Sequence, residues 1–467
     1  MKELRRNMRF VGTLVVILFV GLAAWFAMTV FTQGSVWASD VRNSRLRATA
    51  SLRGDITDRD GDLLATTAED GTRQYTKNTT ARRALSQTVG DTAGMSTGIE
   101  TFYSATLLDI STGLLGRLNE LFSSAKHVGG SIQITVDGPL QAYIASEFPD
   151  GYRGAVCVIN YKTGEILAMV SMPNYDPYDL AVRSDTQVED TAYLNRCLQG
   201  LYTPGSVFKI ITLASAITND VNVLDQAFSC SGTWEYEGGH IVCAGNTAHG
   251  TVNLKTAFKR SCNVTFGKLA YQLGLERLRQ TAEHFGFNEN FKFGDFVVYN
   301  SAFPTSVNNM NGLVWAGIGQ GEVLVTPLHM AMITGTVANG GVMMKPWLIQ
   351  RIRSSVGKTT STGAPAAYRQ VLSESVASKI AEYMYETVQS GTATRAAIKG
   401  YTVGGKTGSA EVSNDKTVET NAWFTGFIYD EAHPYAISVV IEGGGAGARM
   451  PSELAAKALK KAIEFVG

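Results

Sequence analysis

Ser206 and Lys209 are spaced so that on a helix they share one face, a turn apart. They lie in Thr203-Pro204-Gly205-Ser206-Val207-Phe208-Lys209, where the Pro-Gly pair breaks the chain ahead of Ile210-Ile211-Thr212-Leu213-Ala214-Ser215-Ala216-Ile217. That apolar run has the length of a buried helix and puts Ser206 at its N-terminus. A hydroxyl needs a base before it can attack a carbonyl, and a lysine stripped of water gives up its proton readily enough to serve. The positive end of the helix and its free N–H groups favour the oxyanion that such an attack creates. The pair reads as a nucleophile with its activator.

The same Ser-x-x-Lys spelling recurs at Ser123/Lys126 and Ser355/Lys358, before His127-Val128-Gly129-Gly130 and a Thr/Ser/Gly-rich stretch respectively. Neither opens a buried helix, and both read as exposed polar loops. Two further elements support the first pair. Ser261-Cys262-Asn263 follows the helix-like run Leu254 to Arg260, and Lys406-Thr407-Gly408-Ser409 precedes a polar turn and the strand-like Ala422-Trp423-Phe424-Thr425-Gly426-Phe427. Competing spellings sit in the wrong places. Ser306-Val307-Asn308 lies in an Asn-rich loop after Pro304, and Lys162-Thr163-Gly164 falls between two β-rich runs as a hairpin turn. Gly400 to Thr407 satisfies a phosphate-loop pattern, but that pattern needs a helix after its Lys-Thr, and Gly408 with strand-like sequence follows instead.

The elements that must position these residues belong to a chain of 467 residues, enough for two or three domains. Lys plus Arg and Asp plus Glu are balanced at 41 each, so no basic field recommends nucleic acid. Residues 10–31 carry no charge and are long enough to span a bilayer as one helix. Lys2, Arg5, Arg6 and Arg9 precede them against a single Glu3, which keeps the N-terminus cytoplasmic and exports the chain from about Thr32 onward. Val36-Trp37-Ala38 could serve as a signal-peptide cleavage site, but the apolar run is longer than a usual signal core and favours a retained anchor. Among the five cysteines, Cys230 and Cys243 flank a hairpin-like segment, and a disulfide or two thiols are both open there. Cys157, Cys197 and Cys262 read as packed small residues. With no Cys-x-x-Cys, no His-Glu-x-x-His and six scattered histidines, no metal site is expected.

Taken in order, 1–9 is a cytoplasmic tail and 10–31 the anchor; 32–130 forms a small mixed α+β pedestal and 131–467 the main domain. The Arg53-Gly54-Asp55 tripeptide in the pedestal has no discriminating power as an adhesion signal. An Asp-Gly turn nearby suggests a hairpin. From Gly154, strands at both ends of the main domain enclose a helical block, which suggests an antiparallel sheet flanked by helices. Pro451 to Ala462 is an amphipathic terminal helix.

Ser-x-x-Lys, Ser-x-Asn and Lys-Thr-Gly in this order are the signature of serine penicillin-recognising enzymes. The chain resembles class B penicillin-binding proteins, the monofunctional peptidoglycan D,D-transpeptidases. The resemblance extends to Arg53-Gly54-Asp55-Ile56-Thr57-Asp58-Arg59, to Gly154-Ala155-Val156 through Val170 and to Asn174-Tyr175-Asp176-Pro177. It continues through Gly317-Ile318-Gly319-Gln320-Gly321, Val325-Thr326-Pro327-Leu328-His329 and Ser390-Gly391-Thr392-Ala393. The pedestal is shorter than in many members, similar to compact variants paired with elongation or sporulation synthases. The absence of a glycosyltransferase segment argues against the bifunctional class.

The resemblance implies an α+β penicillin-binding-protein/β-lactamase-like fold and a set of roles. Ser206 would attack a D-alanyl-D-alanine carbonyl, Lys209 take its proton and Ser261 relay one to the leaving D-alanine. Asn263 would hold the substrate amide, and Lys406 supply positive potential. Thr407 and Ser409 would bind the terminal carboxylate, Gly408 would admit the substrate backbone, and the N–H groups of Ser206 and Ser409 would form the oxyanion hole. Implied partners are peptidoglycan stem peptides, β-lactams and a membrane-embedded glycan polymerase, at the outer face of a bacterial membrane and with no cofactor. The alternatives are a D,D-carboxypeptidase, a β-lactamase or β-lactam sensor, and a non-enzymatic cell-wall synthase scaffold.

Overall fold

The computed structural model describes residues 2–38, 52–108, 128–179, 190–291, 293–411, 418–446 and 449–466. The Ser123/Lys126 spelling lies outside them; Lys358 lies at the turn between the strands Ile349–Arg353 and Thr359–Thr362, on an exposed loop as expected.

A five-stranded antiparallel sheet forms the centre of the molecule. Its order is Val403–Ala410, Asn421–Ile428, Tyr435–Glu442, Arg153–Asn160 and Ile166–Met172. Side chains alternate across it because the pleat has a period of two. Ala155, Cys157 and Ile159 enter one core, which the helix Pro327–Ala338 shares. Val156 and Val158 enter the opposite core, with Leu140 and Ile144 of the helix Gly138–Glu147 and Leu454, Ala458 and Leu459 of the helix Arg449–Phe465. Each fully buried aliphatic side chain contributes about 1.5–3 kcal/mol, so both faces must be covered. This is the sheet flanked by helices that the strand pattern suggests. The helices start where capping chemistry places them: Asp137 accepts from the Leu140 N–H, and Thr326 accepts from the His329 N–H with Pro327 behind it.

A second sheet of six strands runs Thr359–Thr362, Ile349–Arg353, Ser131–Ile134, Ile56–Thr57, Leu63–Thr67 and Arg73–Tyr75. It contains the hairpin expected around Asp60-Gly61, with Ile56 opposite Ala65. It also crosses residue 130, because Ile56–Thr57 pairs in parallel with Ser131–Ile134. Arg53 is not displayed for adhesion: its guanidinium and that of Arg73 meet the buried Glu100 carboxylate at 2.7 and 2.6 Å. Asp55 accepts a 2.6 Å hydrogen bond from Thr66.

The N-terminal helix runs from Lys2 to Ala38 and exposes Phe10, Ile17, Leu18, Phe19, Trp25 and Phe26. Among the described residues no helix is long and apolar enough to cross a membrane.

Candidate active site

The chain turns at Gly205, whose φ of 56° suits glycine, and Gly205–Phe208 forms a 3₁₀ turn before the α-helix Lys209–Asn219. Ser206 therefore sits one turn ahead of the α-helix expected to begin with it, and Lys209 is that helix's first residue. The correction follows from the positive φ of Gly205 and the tight approach of the neighbouring strand. A Cβ on Gly205 would collide with the Ser409 carbonyl, and one on Gly408 would lie 2.9 Å from the Pro204 carbonyl oxygen. The helix is buried from Lys209 through Ile217 and packs on the helix Asn263–His284, which carries Asn263 at its first position. The Lys-Thr-Gly-Ser segment lies inside the edge strand Val403–Ala410, so the phosphate-loop reading fails on topology as expected.

Three separate segments thus meet. Lys209 Nζ lies 3.1 Å from Ser206 Oγ, 3.1 Å from Ser261 Oγ, 2.8 Å from the Ser261 carbonyl oxygen and 2.6 Å from Asn263 Oδ1. The last two atoms only accept, so two N–H bonds of the amine are committed to them. A neutral amine then has its lone pair free for a hydroxyl proton. Burial pushes the Lys209 ammonium down to about 7, the neighbouring Cys262 and Cys243 opposing the change. Lys406 Nζ donates to Ser261 Oγ and to the Thr407 carbonyl, both at 3.0 Å. Burial first, and the Lys209 charge second, push Lys406 well below the usual lysine range. The positive potential expected of Lys406 is therefore opposed by its own surroundings. Phe266 and Phe258 present ring faces to the two amines, each 5.6 Å away.

Ser206, Ser261, Asn263 and Ser409 are each half-buried, whereas Lys209 and Lys406 are fully buried. The hydroxyls are reachable from solvent, and the two amines behind them are not. Asn263 Nδ2 is held by the Val242 carbonyl at 2.8 Å. Ser261 adopts a φ of 56°, an uncommon conformation for a residue with a side chain. All eight residues singled out in the sequence lie in this one region, along the strand edge and the two helix starts.

Three positions were not singled out as site residues. Thr392 and Thr407 hydroxyls lie 2.6 Å apart, Gln320 Nε2 donates to the Ser409 carbonyl at 3.4 Å, and Gly319 accepts the Gly205 N–H at 2.8 Å. Their signal was membership of the Ser-Gly-Thr-Ala and Gly-Gln-Gly blocks, which carried no chemistry of their own. A cavity of about 700 Å³ opens beside Gln320, lined among others by Thr203, Asn308, Trp315 and Glu411. Ser306 and Asn308 line this cavity too, so the loop rejected as a Ser-x-Asn motif borders the cavity without joining the lysines.

Residues 154–464 match the penicillin binding protein transpeptidase domain family. The chain is 31% identical over 468 aligned residues to the peptidoglycan D,D-transpeptidase PbpA of Mycolicibacterium smegmatis, covering 94% of each chain. The crystal structure of PBPA from Mycobacterium tuberculosis superposes with a TM-score of 0.81 at 28% identity, covering 89% of this chain and 100% of that one. Its penicillin G acyl-enzyme complex gives a TM-score of 0.78 at 28% identity, over 89% and 99%. The chain belongs to the penicillin-binding-protein transpeptidases.

Proposed function

We propose that this chain is a serine-type peptidoglycan D,D-transpeptidase. The observation that carries the reading is the Lys209 amine, buried and committed through two N–H bonds, with Ser206 Oγ 3.1 Å away. Ser206 Oγ attacks the carbonyl between two terminal D-alanines, and its proton passes to Lys209 Nζ. The oxyanion is met by the N–H groups of Ser206 and Ser409. The C–N bond breaks as the Ser261 hydroxyl, bridged between Lys209 and Lys406, relays a proton to the departing D-alanine amine. An amine from a second stem then displaces Ser206 from the acyl-enzyme, forming the crosslink and returning the proton to Ser206. Asn263 holds the substrate amide. The substrate carboxylate lies against Thr407 and Ser409 beside Gly408, and its charge restores the proton affinity of Lys406. β-Lactams enter by the same attack and remain on Ser206.

The uncharged face of residues 10–26 on the N-terminal helix and the basic residues before it support anchoring at 10–31, with the remainder extracytoplasmic. The division at 130 is proposed as a functional one, pedestal and catalytic unit, although one sheet spans it. A membrane-embedded glycan polymerase is the proposed partner.

The test is covalent labelling of the detergent-solubilised full chain with a fluorescent penicillin, beside Ser206→Ala, followed by incubation with a D-alanyl-D-alanine donor and an amine acceptor. Stable label on the parent alone and an amine-linked product support the reading. Rapid loss of label would instead mark a β-lactamase. Hydrolysed product without crosslink would mark a carboxypeptidase. A folded parent that never labels would favour the scaffold.

A further inference from the structure

Behind the Ser261 loop, four side chains that the transpeptidase chemistry does not use converge on one point. Cys230 Sγ and Cys243 Sγ lie 3.7 Å apart, Cys243 Sγ and Cys262 Sγ 3.8 Å, and Cys230 Sγ and His249 Nδ1 3.4 Å. All four ligand atoms fall within 4.8 Å of one another. A disulfide needs sulfurs about 2.05 Å apart, and the five cysteines are free thiols. A tetrahedral zinc ion, with bonds of about 2.3 Å to sulfur and about 2.0–2.1 Å to nitrogen, separates its sulfurs by about 3.8 Å and sulfur from nitrogen by about 3.6 Å. The three short separations lie close to those figures, and the remaining pairs, all within 4.8 Å, need a shift of at most about 1.2 Å to reach them.

We propose that Cys230, Cys243, His249 and Cys262 bind one structural zinc ion. On binding, the ion replaces the protons of three thiols, which leave to solvent. His249 enters neutral, giving the Nδ1 lone pair and keeping its proton on Nε2, so the complex carries a net charge of −1. Soft sulfur donors select zinc over magnesium or calcium, and four protein ligands close the coordination shell. All three cysteines are buried, and His249 is half-buried. Cys262 Sγ already accepts hydrogen bonds from the Thr265 N–H at 3.4 Å and the Thr265 hydroxyl at 3.2 Å, the kind of support a metal thiolate receives.

The placement gives the ion a task. Cys230 ends the strand Ala227–Cys230, and His249 immediately precedes its partner strand Gly250–Asn253. Cys243 follows the hairpin Thr233–Tyr236/Gly239–Val242, and Cys262 caps the helix Asn263–His284. Two-stranded sheets of this size hold poorly by themselves. Cys262 stands between Ser261 and Asn263 in the chain, and Cys243 follows Val242, whose carbonyl holds the Asn263 amide. The ion therefore fastens the Ser261 turn, with its positive φ, from both sides. These four residues are positioning residues for Ser261 and Asn263.

The test uses the full chain purified in detergent without added metal or chelator. Elemental analysis should find about one zinc per chain, and cobalt exchange should give the visible spectrum of a tetrahedral thiolate complex. Cys243→Ser and His249→Ala should lower zinc content at least tenfold, whereas His249→Cys should retain it as a four-cysteine site. Acylation by fluorescent penicillin should slow by about 10–100-fold in His249→Ala and recover in His249→Cys with zinc. A chain without zinc whose cobalt form shows no sulfur charge transfer would overturn the proposal. So would a disulfide among these cysteines, seen as a mass deficit of two hydrogens. The metal content is read independently of acylation, so failure of the transpeptidase reading leaves this result standing.

Discussion

Lys209 and Lys406 direct their amines at the same atom: Ser261 Oγ lies 3.1 Å from one and 3.0 Å from the other. Both amines are fully buried, and two ammonium charges this close in a dry site repel. Burial and this repulsion lower the proton affinity of both amines. A single hydroxyl between them links the side of Ser206 to the side of the Lys-Thr-Gly strand.

Acylation should depend on pH through Lys209. Burial brings its proton affinity down to about 7, so the neutral base is scarce below that pH and abundant above it. The acylation rate should rise about tenfold per pH unit below neutrality and level off above about pH 8. Lys209→Arg, which stays charged, should lower the rate by about 10²–10⁴-fold and remove the rise. A flat profile in the parent would exclude Lys209 as the base. Stopped-flow fluorescence with a reporter penicillin reads both.

Ser261→Ala removes the bridging hydroxyl while leaving both amines in place. The expected outcome is a loss of about 10²-fold or more in turnover of a peptide donor, with Tm within a few degrees of the parent. Unchanged turnover would assign the proton relay to another group.

Gly319 should not tolerate a side chain. Its φ is 78°, and a Cβ would run into the Gly205 carbonyl and the Phe208 side chain. Because Gly205 N–H bonds to the Gly319 carbonyl, the strain is delivered to the Ser206 turn. Gly319→Ala should lower acylation by about 100-fold, the usual effect of a displacement near 1 Å at a reacting group. Thermal melting should show a lower Tm as well.

His329 should make the fold acid-sensitive. It is fully buried, Nε2 faces the Phe285 carbonyl at 2.7 Å and Nδ1 the Ser301 hydroxyl at 2.7 Å. Burial, opposed by the Phe285 bond, lowers its proton affinity from 6.5 to about 4. Between those values the unfolded chain binds the proton and the folded one does not, so stability falls as pH drops from about 6.5 toward 4. The full effect is on the order of 3 kcal/mol. Denaturant melts of the parent and His329→Gln across that range should show a shallower fall in the variant.

Local features were readable because their causes are local. The Pro204-Gly205 break, the hairpin turn at Lys162-Thr163-Gly164 and the strand carrying Lys406 each follow from neighbours within a few residues. Gly408 was enough to dismiss a phosphate loop, since no helix starts there. The eight residues proposed for the site were named from motif order, context and the family resemblance, and the structure brings them into one region. The 3₁₀ turn at Ser206 was not, because it is imposed by the Ser409 and Gly319 backbones, which approach from far along the chain.

Residue types and short-range spacing by themselves pointed to a serine–lysine pair, two partner motifs and an antiparallel sheet flanked by helices. Only the tertiary structure decided that Lys209 spends its N–H bonds on Ser261 and Asn263, that Lys406 shares the Ser261 hydroxyl, and that one sheet spans residue 130. It also decided that Cys230, Cys243, His249 and Cys262 meet, where the sequence offered no ligand motif. The reason is the same in each case: proton affinity, hydrogen-bond commitment and coordination geometry depend on which distant segments packing brings within about 4 Å, and no local spacing encodes that.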